Sequence, residues 1–320
     1  MQLTSWIAFR YLLSRRSGRF APLLTITAVA SVATGMLSFI VVMSVMQGFR
    51  AELAERLLGF GAHITLVRGA GAEEIDRDGL EGILAKLPVR DASPFVQGEV
   101  IALSEATGEL SALGARVRGI DPGAPGAMGK VDFYFPEGSA GPASMEPDGR
   151  GIAGAVIGSD VVSSLSVHPD FNDEIDLVAP LAEVTPSGEL GPNKRRLRVA
   201  GVFRTGVFEY DGKYILVPLA EASKLLGEQA EEGWFIRLKE TGEVPSVLSK
   251  IRGRLPEGWS GEGWHEQNRK LFAALKLERV AMGGVLVMVL AIASFAVVGV
   301  VLLITAAKRK DIAILESIGM

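Results

Sequence analysis

The 320-residue sequence contains no cysteine, which removes disulfides, thiol nucleophiles and cysteine-rich metal sites together. Histidine is scarce, and His63, His168 and His265 stand far apart. His265-Glu266 opens like the zinc motif H-E-x-x-H, but Arg269 occupies the second histidine position. The chain holds neither a G-x-x-x-x-G-K-[ST] phosphate loop nor a G-x-S-x-G nucleophile elbow. A formal charge of -4 gives no basic field for nucleic acid. The acidic run Glu73–Asp78 lacks EF-hand spacing and reads as a solvated face. Catalytic, cofactor-binding and metal-binding residues are therefore all expected to be none.

Charge is also missing from two long stretches, and this absence says most. Ala21–Met46 and Ala281–Ala307 are apolar runs without a charged side chain, separated by more than two hundred mostly polar residues. Each exceeds the ~20 residues a helix needs to cross a bilayer. A charge at the bilayer centre costs ~3 kcal/mol or more, so two such runs point to two spanning helices. Arg10, Arg15, Arg16 and Arg19 precede the first, and Lys308, Arg309 and Lys310 follow the second. The positive-inside rule puts both clusters in the cytoplasm and the middle segment outside. A cleaved signal peptide is the other reading of the first run, but its small residues Ala28, Ala30 and Ala33 lie inside the apolar stretch. The run is also too long for a signal h-region.

The flanks carry further pattern. Leu3–Ser14 mixes Trp6, Phe9 and Tyr11 with Arg10 and predicts a short cytoplasmic helix at the membrane interface. Thr25, Thr27, Ser31, Thr34, Gly35, Ser38 and Ser44 thread through the first span. Small residues let helices approach closely, so packing against other spans is one reading. A substrate cavity with Met36, Met43 and Met46 as adaptable apolar contacts is the other. Phe49, Leu53 and Leu57 repeat at i, i+4, i+8, continuing the helix outward. Leu271, Phe272, Leu275 and Val280 form a similar stripe before the second span. The two extensions predict a short stalk.

The middle segment alternates in type. Strands are predicted at His63–Val67, Glu99–Leu103, Ala115–Ile120, Glu174–Val178, Arg196–Phe203, Lys213–Val217 and Trp234–Leu238. Helices are predicted at Gly79–Leu87, Ser159–Leu165, Leu219–Leu226 and Val244–Leu255. This irregular mixture predicts an α+β domain, with room for two subdomains. Asp121–Arg150, rich in Gly and Pro, reads as loop. Ala179–Asn193, with Pro180, Pro186 and Pro192, exceeds a hairpin turn and reads either as a stiffened gripping loop or as a surface insertion. The fold class is an α-helical membrane protein with an inserted α+β domain outside the membrane.

Three stretches make a resemblance specific: Trp6-Ile-Ala-Phe-Arg-Tyr-Leu-Leu, Ser44-Val-Met-Gln-Gly48-Phe-Arg-Ala-Glu-Leu and Lys310-Asp-Ile-Ala-Ile-Leu-Glu-Ser-Ile-Gly319. With Trp264-His-Glu-Gln-Asn-Arg-Lys-Leu-Phe, they resemble the lipoprotein-releasing LolC/LolE permeases of the MacB/FtsX-type ABC transporter permease superfamily. The resemblance runs over essentially the whole chain. It implies four membrane helices per subunit with the large periplasmic domain between the first and second, so this sequence would be incomplete at its C-terminus. The implied division is a cytoplasmic interfacial helix at 1–19, a span at 20–47, a MacB-like periplasmic core with helical stalks at 48–279, a span at 280–307, and the start of a cytoplasmic coupling helix at 308–320.

The resemblance also implies partners and sites in the bacterial inner membrane. The partners are a separate LolD-like ATPase, a LolA-like periplasmic carrier, lipoprotein substrates, membrane lipids, and a second permease subunit, either a copy or a LolE-like one. Ala179–Asn193 aligns with the carrier-recruiting hook, with Pro180, Thr185, Pro186, Gly188 and Pro192 as its site residues. Arg195, Arg196 and Arg198 beside it read as electrostatic supports for an acidic carrier surface, or else as an ordinary hairpin edge. Asp311, Ile312, Leu315, Ile318 and Gly319 would dock on the ATPase, although Glu316 departs from the basic or neutral residue usual there. Met36, Val42, Met43 and Met46 would wall a lipoprotein cavity. The same coupling segment would serve an FtsX-like regulator that activates a periplasmic cell-wall hydrolase and transports nothing.

Overall fold

The computed structural model describes residues 20–124, 128–184, 190–307 and 309–317. The predicted interfacial helix at Leu3–Ser14 lies outside them. In chain order the first elements are α1 (Phe20–Phe60), β1 (Ile64–Arg68), α2 (Arg77–Leu84), β2 (Val89–Ser104), β3 (Ser111–Ile120), β4 (Asp132–Tyr134) and β5 (Gly154–Gly158). Next come α3 (Ser159–Leu165), β6 (Glu174–Val184), β7 (Leu190–Arg204), α4 (Phe208–Asp211), β8 (Tyr214–Pro218), α5 (Leu219–Leu226) and β9 (Glu231–Leu238). The last are α6 (Val244–Arg252), β10 (Trp259–Gly263), α7 (Trp264–Gln267), α8 (Arg269–Ala307) and α9 (Arg309–Ser317).

Both apolar runs fold as single long helices, α1 and α8, each long and apolar enough to cross a membrane. One compact unit comprises α1 up to Ala51 together with the chain from Lys270; the other is Glu52–Arg269. Within the helical unit, half-buried Val32, Gly35, Phe39, Met43, Met46 and Arg50 recur every three or four residues and mark one face of α1. Leu275, Glu278, Met282, Leu286, Val289 and Ala293 do the same on α8. A Cβ placed on Gly35 would meet Val289 Cγ1 at 3.5 Å, an ordinary van der Waals distance, so the two helices face each other here with room for an alanine. Near the end of the apolar run, Arg50 reaches the Leu275 carbonyl at 3.4 Å and Glu278 at 3.7 Å.

The other unit is organised by one ten-stranded sheet. Part of it closes on itself in the order β2-β3-β8-β5-β7-β6, because β6 pairs back onto β2 through Asp176–Val178. Every second residue of these strands joins one core, as in Val100 and Ala102, Val117, Ile157, Ile175 and Leu177, Leu197 and Val199, and Ile215. This is the period-2 pattern of a small closed barrel whose inside is filled by side chains. Val161 and Leu165 of α3 and Ala222, Leu225 and Leu226 of α5 pack into the same core. Strands β10, β1 and β9 form an antiparallel layer with β2 in the order β10-β1-β9-β2, and β4 pairs antiparallel with β7. The long β2 belongs to both parts: Val89–Gln97 pairs with β9, and Val96–Ser104 pairs with β3.

The predicted helices at Ser159–Leu165 and Leu219–Leu226 appear with those bounds, and the seven predicted strands are all present. Glu99–Leu103 extends back to Val89, and β4, β5 and β10 carry no clear sequence signal. β5 is buried on every residue, which erases alternation, and β10 is Trp-Ser-Gly-Glu-Gly. Asp121–Arg150, read as loop, includes β4 and a 3₁₀ turn at Gly141–Met145.

The largest correction concerns Ala179–Asn193. Its described residues are not loop but the outer part of a hairpin, with Ala182 opposite Pro192, Glu183 opposite Gly191 and Val184 opposite Leu190. The register shifts between Val178 and Ala182, a stretch that contains Pro180. Beyond Val178, β6 pairs with β7 alone, so a proline here need not donate to a second neighbour.

Candidate functional site

The predicted site residues fall in three separate places. Of the hook residues, Pro180 and Pro192 are exposed on the β6–β7 arm, while Thr185, Pro186 and Gly188 lie outside the described residues. Asp311, Ile312 and Leu315 belong to α9; Ile318 and Gly319 lie outside the described residues. Met43 and Met46 sit on the half-buried face of α1, and exposed Met36 and Val42 flank that face on opposite sides. The four residues expected to wall a cavity thus divide between a helix seam and two open flanks.

At the root of the arm the charges are already paired. Lys194 Nζ lies 2.7 Å from Asp176 Oδ2, and Arg196 Nε lies 3.1 Å from Asp176 Oδ1. Arg150 connects Asp148 and Glu174, each at 3.0 Å. Partial burial tends to raise the Asp176 pKa, but hydrogen bonds from Lys194 and Arg196 outweigh it and hold the carboxyl below its ordinary range. Arg198 donates to the Ser144 carbonyl at 2.9 Å. Exposed Arg196 is thus tied to Asp176 and Arg198 to the Ser144 carbonyl, while Arg195 Nε is buried, so the three do not line up as one free basic edge.

The densest arrangement lies where α1 ends, and sequence reasoning missed it. Phe60, the last residue of α1, stacks on Phe203 with centroids 5.0 Å apart and touches Tyr210 and Tyr214 at 4.7 and 5.3 Å. These rings belong to a core on the outer face of the barrel with Ile120, Met145, Val156 and Leu216. Arg118 of β3, only 7% exposed, donates through Nη1 to the Phe60 carbonyl at 3.3 Å. Arg237 of β9 donates to the Gly61 carbonyl at 3.3 Å and to Asp91 Oδ1 at 3.3 Å. Two cations therefore meet the negative end of the helix dipole. Burial, opposed by Asp91, lowers the Arg237 pKa from its ordinary value. In the sequence Arg118 alternates with inward-facing Val117 and looks solvent-facing; it is covered because the end of α1 lies over that face.

The acidic run has structural work. The Asp76 side chain caps α2 by accepting from Gly79 N at 2.8 Å, and the Glu73 carbonyl accepts from Trp259 Nε1 at 2.8 Å. Among the described residues no group of three His, Asp or Glu side chains is placed to hold a metal ion.

An α+β domain inserted between two membrane-length helices defines the class: a membrane protein built around a large extramembrane domain. Residues 25–254 match the MacB-like periplasmic core domain, and the chain belongs to that family. It is similar to the lipoprotein-releasing system transmembrane protein LolC of Neisseria meningitidis serogroup B, with 27% identity covering 99% of this chain and 74% of the relative. LolC of Xylella fastidiosa is 26% identical over 98% of this chain and 73% of its own. LolE of Haemophilus influenzae is 24% identical over 100% of this chain and 75% of its own.

Proposed function

We propose that this chain is the permease subunit of an ABC transporter that extracts lipoproteins from the inner membrane and passes them to a periplasmic carrier. The observation that carries this reading is similarity to lipoprotein-releasing LolC proteins along nearly the entire chain, both membrane-length helices included. ATP is hydrolysed by a separate LolD-like subunit docked on Asp311, Ile312, Leu315, Ile318 and Gly319. The termini lie in the cytoplasm and the domain in the periplasm. Acyl chains of the substrate meet Met36 and Val42, with Met43 and Met46 behind them at the seam, and a second permease subunit completes the cavity. Movement of the coupling helix closes that cavity and lifts the substrate toward the β6–β7 arm, which recruits the carrier through Pro180, Thr185, Pro186, Gly188 and Pro192.

The arm suits recruitment because beyond Ala179 and Asn193 its strand pairing, Ala182–Val184 with Leu190–Pro192, is to itself. Residues there can contact a partner without giving up a hydrogen bond that the barrel needs. The test uses the full chain in detergent and the LolA-like carrier of the same organism. A variant with residues 180–192 replaced by a tight Asn-Gly turn, which keeps buried Ala179 and the Asn193 bonds to the Lys224 and Leu225 carbonyls, should retain its circular dichroism and thermal transition but lose carrier binding at least tenfold. Equal binding by both proteins would remove the arm from the site. Absence of carrier binding by the unaltered chain would remove the lipoprotein-release reading.

A further inference from the structure

We propose that Arg118 is a positioning residue that locks the end of α1 to both β layers, so that displacement of this helix end moves barrel and sheet together. Its guanidinium carbon lies 4.6 Å from the ring centre of Phe60, 4.7 Å from Tyr214 and 4.8 Å from Phe235. Phe60 is the end of α1, Tyr214 belongs to β8 of the barrel, and Phe235 belongs to β9 of the antiparallel layer. Arg118 itself sits on β3 and also bonds the Phe60 carbonyl. One side chain thus contacts three parts of the domain that are remote in sequence.

The chemistry makes the contact conditional on the helix. A buried guanidinium is costly unless its charge is met. Here the compensation is the carbonyl at the negative helix end and three ring faces, and Phe60 supplies both the carbonyl and one ring. Withdrawing the end of α1 would strip the charge of much of that compensation at once. The docked position is therefore favoured sharply over partly withdrawn ones. Arg237 also bonds the end of α1, at the Gly61 carbonyl, but from the β9 side, with Asp91 as its carboxylate partner. Lysine would not reproduce the Arg118 contact, because a compact ammonium cannot lay a plane against several rings.

Only the transport consequence of this lock rests on the permease reading; the first measurement does not. Hydrogen exchange on the full chain in detergent should show amides of 57–61, 214–218 and 231–238 accelerating together, by about tenfold or more, in Arg118→Gln. Pairing within 195–199 should stay unchanged, and Arg118→Lys should not restore protection. Acceleration confined to β3, or to the end of α1 alone, would overturn the lock. If Arg118→Gln does not fold, Phe235→Leu removes a single ring and should give the same pattern more weakly; protection unchanged there would also overturn it. In proteoliposomes with the partner ATPase, Arg118→Gln should keep ATP hydrolysis within about twofold while lipoprotein release falls at least tenfold. An equal fall in both would mark a merely structural residue. Normal release would show that the lock does not serve transport, and absence of release by the unaltered protein would count against the permease reading instead.

Discussion

His63 ties the start of β1 to the end of β9, accepting from the Leu238 amide through Nδ1 at 2.9 Å. Burial, reinforced by the Arg237 charge and opposed by Asp91, holds its pKa below the ordinary histidine value; Arg90 and Lys130 push the same way as Arg237. As pH falls through the ordinary histidine range, the unfolded chain takes up a proton that the folded domain resists. Stability contributed by neutral His63 is therefore complete above that range and is lost as pH drops toward the depressed folded value. His265, also lowered by burial, adds to the same trend. The expected outcome is a denaturation midpoint that falls between about pH 7.5 and pH 5, and falls less in His63→Gln, whose amide oxygen can still accept from Leu238. Equal slopes for the two proteins would refute this role. None of it was legible in the sequence, where His63 is an isolated histidine on a short strand. Its partner Leu238 is 175 residues away.

Among the elements, α5 and β3 meet in close contact. A Cβ on Gly119 would stand 2.4 Å from the Ala222 Cβ and 3.2 Å from the Leu219 Cα, so the helix lies directly on the strand. Gly119→Ala should lift α5 and cost about 1–3 kcal/mol by overpacking. Adding Ala222→Gly should recover part of that loss, less ~1 kcal/mol for glycine inside a helix. Urea denaturation of the single and double variants checks both, and a double variant no more stable than Gly119→Ala would show that another contact dominates. The existence of α5 was readable from its amphipathic spacing, but its seat on a glycine was not. The β6–β7 arm shows the opposite failure. Its prolines and glycines look like loop chemistry in isolation, yet Gly191 and Pro192 pair with Glu183 and Ala182 where the hairpin projects free of other strands.

For the whole molecule, the absence of cysteine gives a clean assay of orientation. Ser139→Cys in the domain should react with a membrane-impermeant maleimide added to spheroplasts, and Arg309→Cys should react only after permeabilisation. The reverse pattern would place the domain in the cytoplasm and remove the periplasmic reading. The sequence by itself determined the two membrane-length helices and much of the strand and helix order. Hydropathy and periodicity are properties of neighbouring side chains, and the apolar runs demand burial or lipid whatever surrounds them. Only the tertiary structure decided that β6 returns to β2 to close a barrel, that β2 serves two layers, and that Arg118 is buried. Those outcomes depend on pairing register and on residues as distant as Phe60, Arg118, Tyr214 and Phe235, which no local pattern joins and which meet only once the chain has folded.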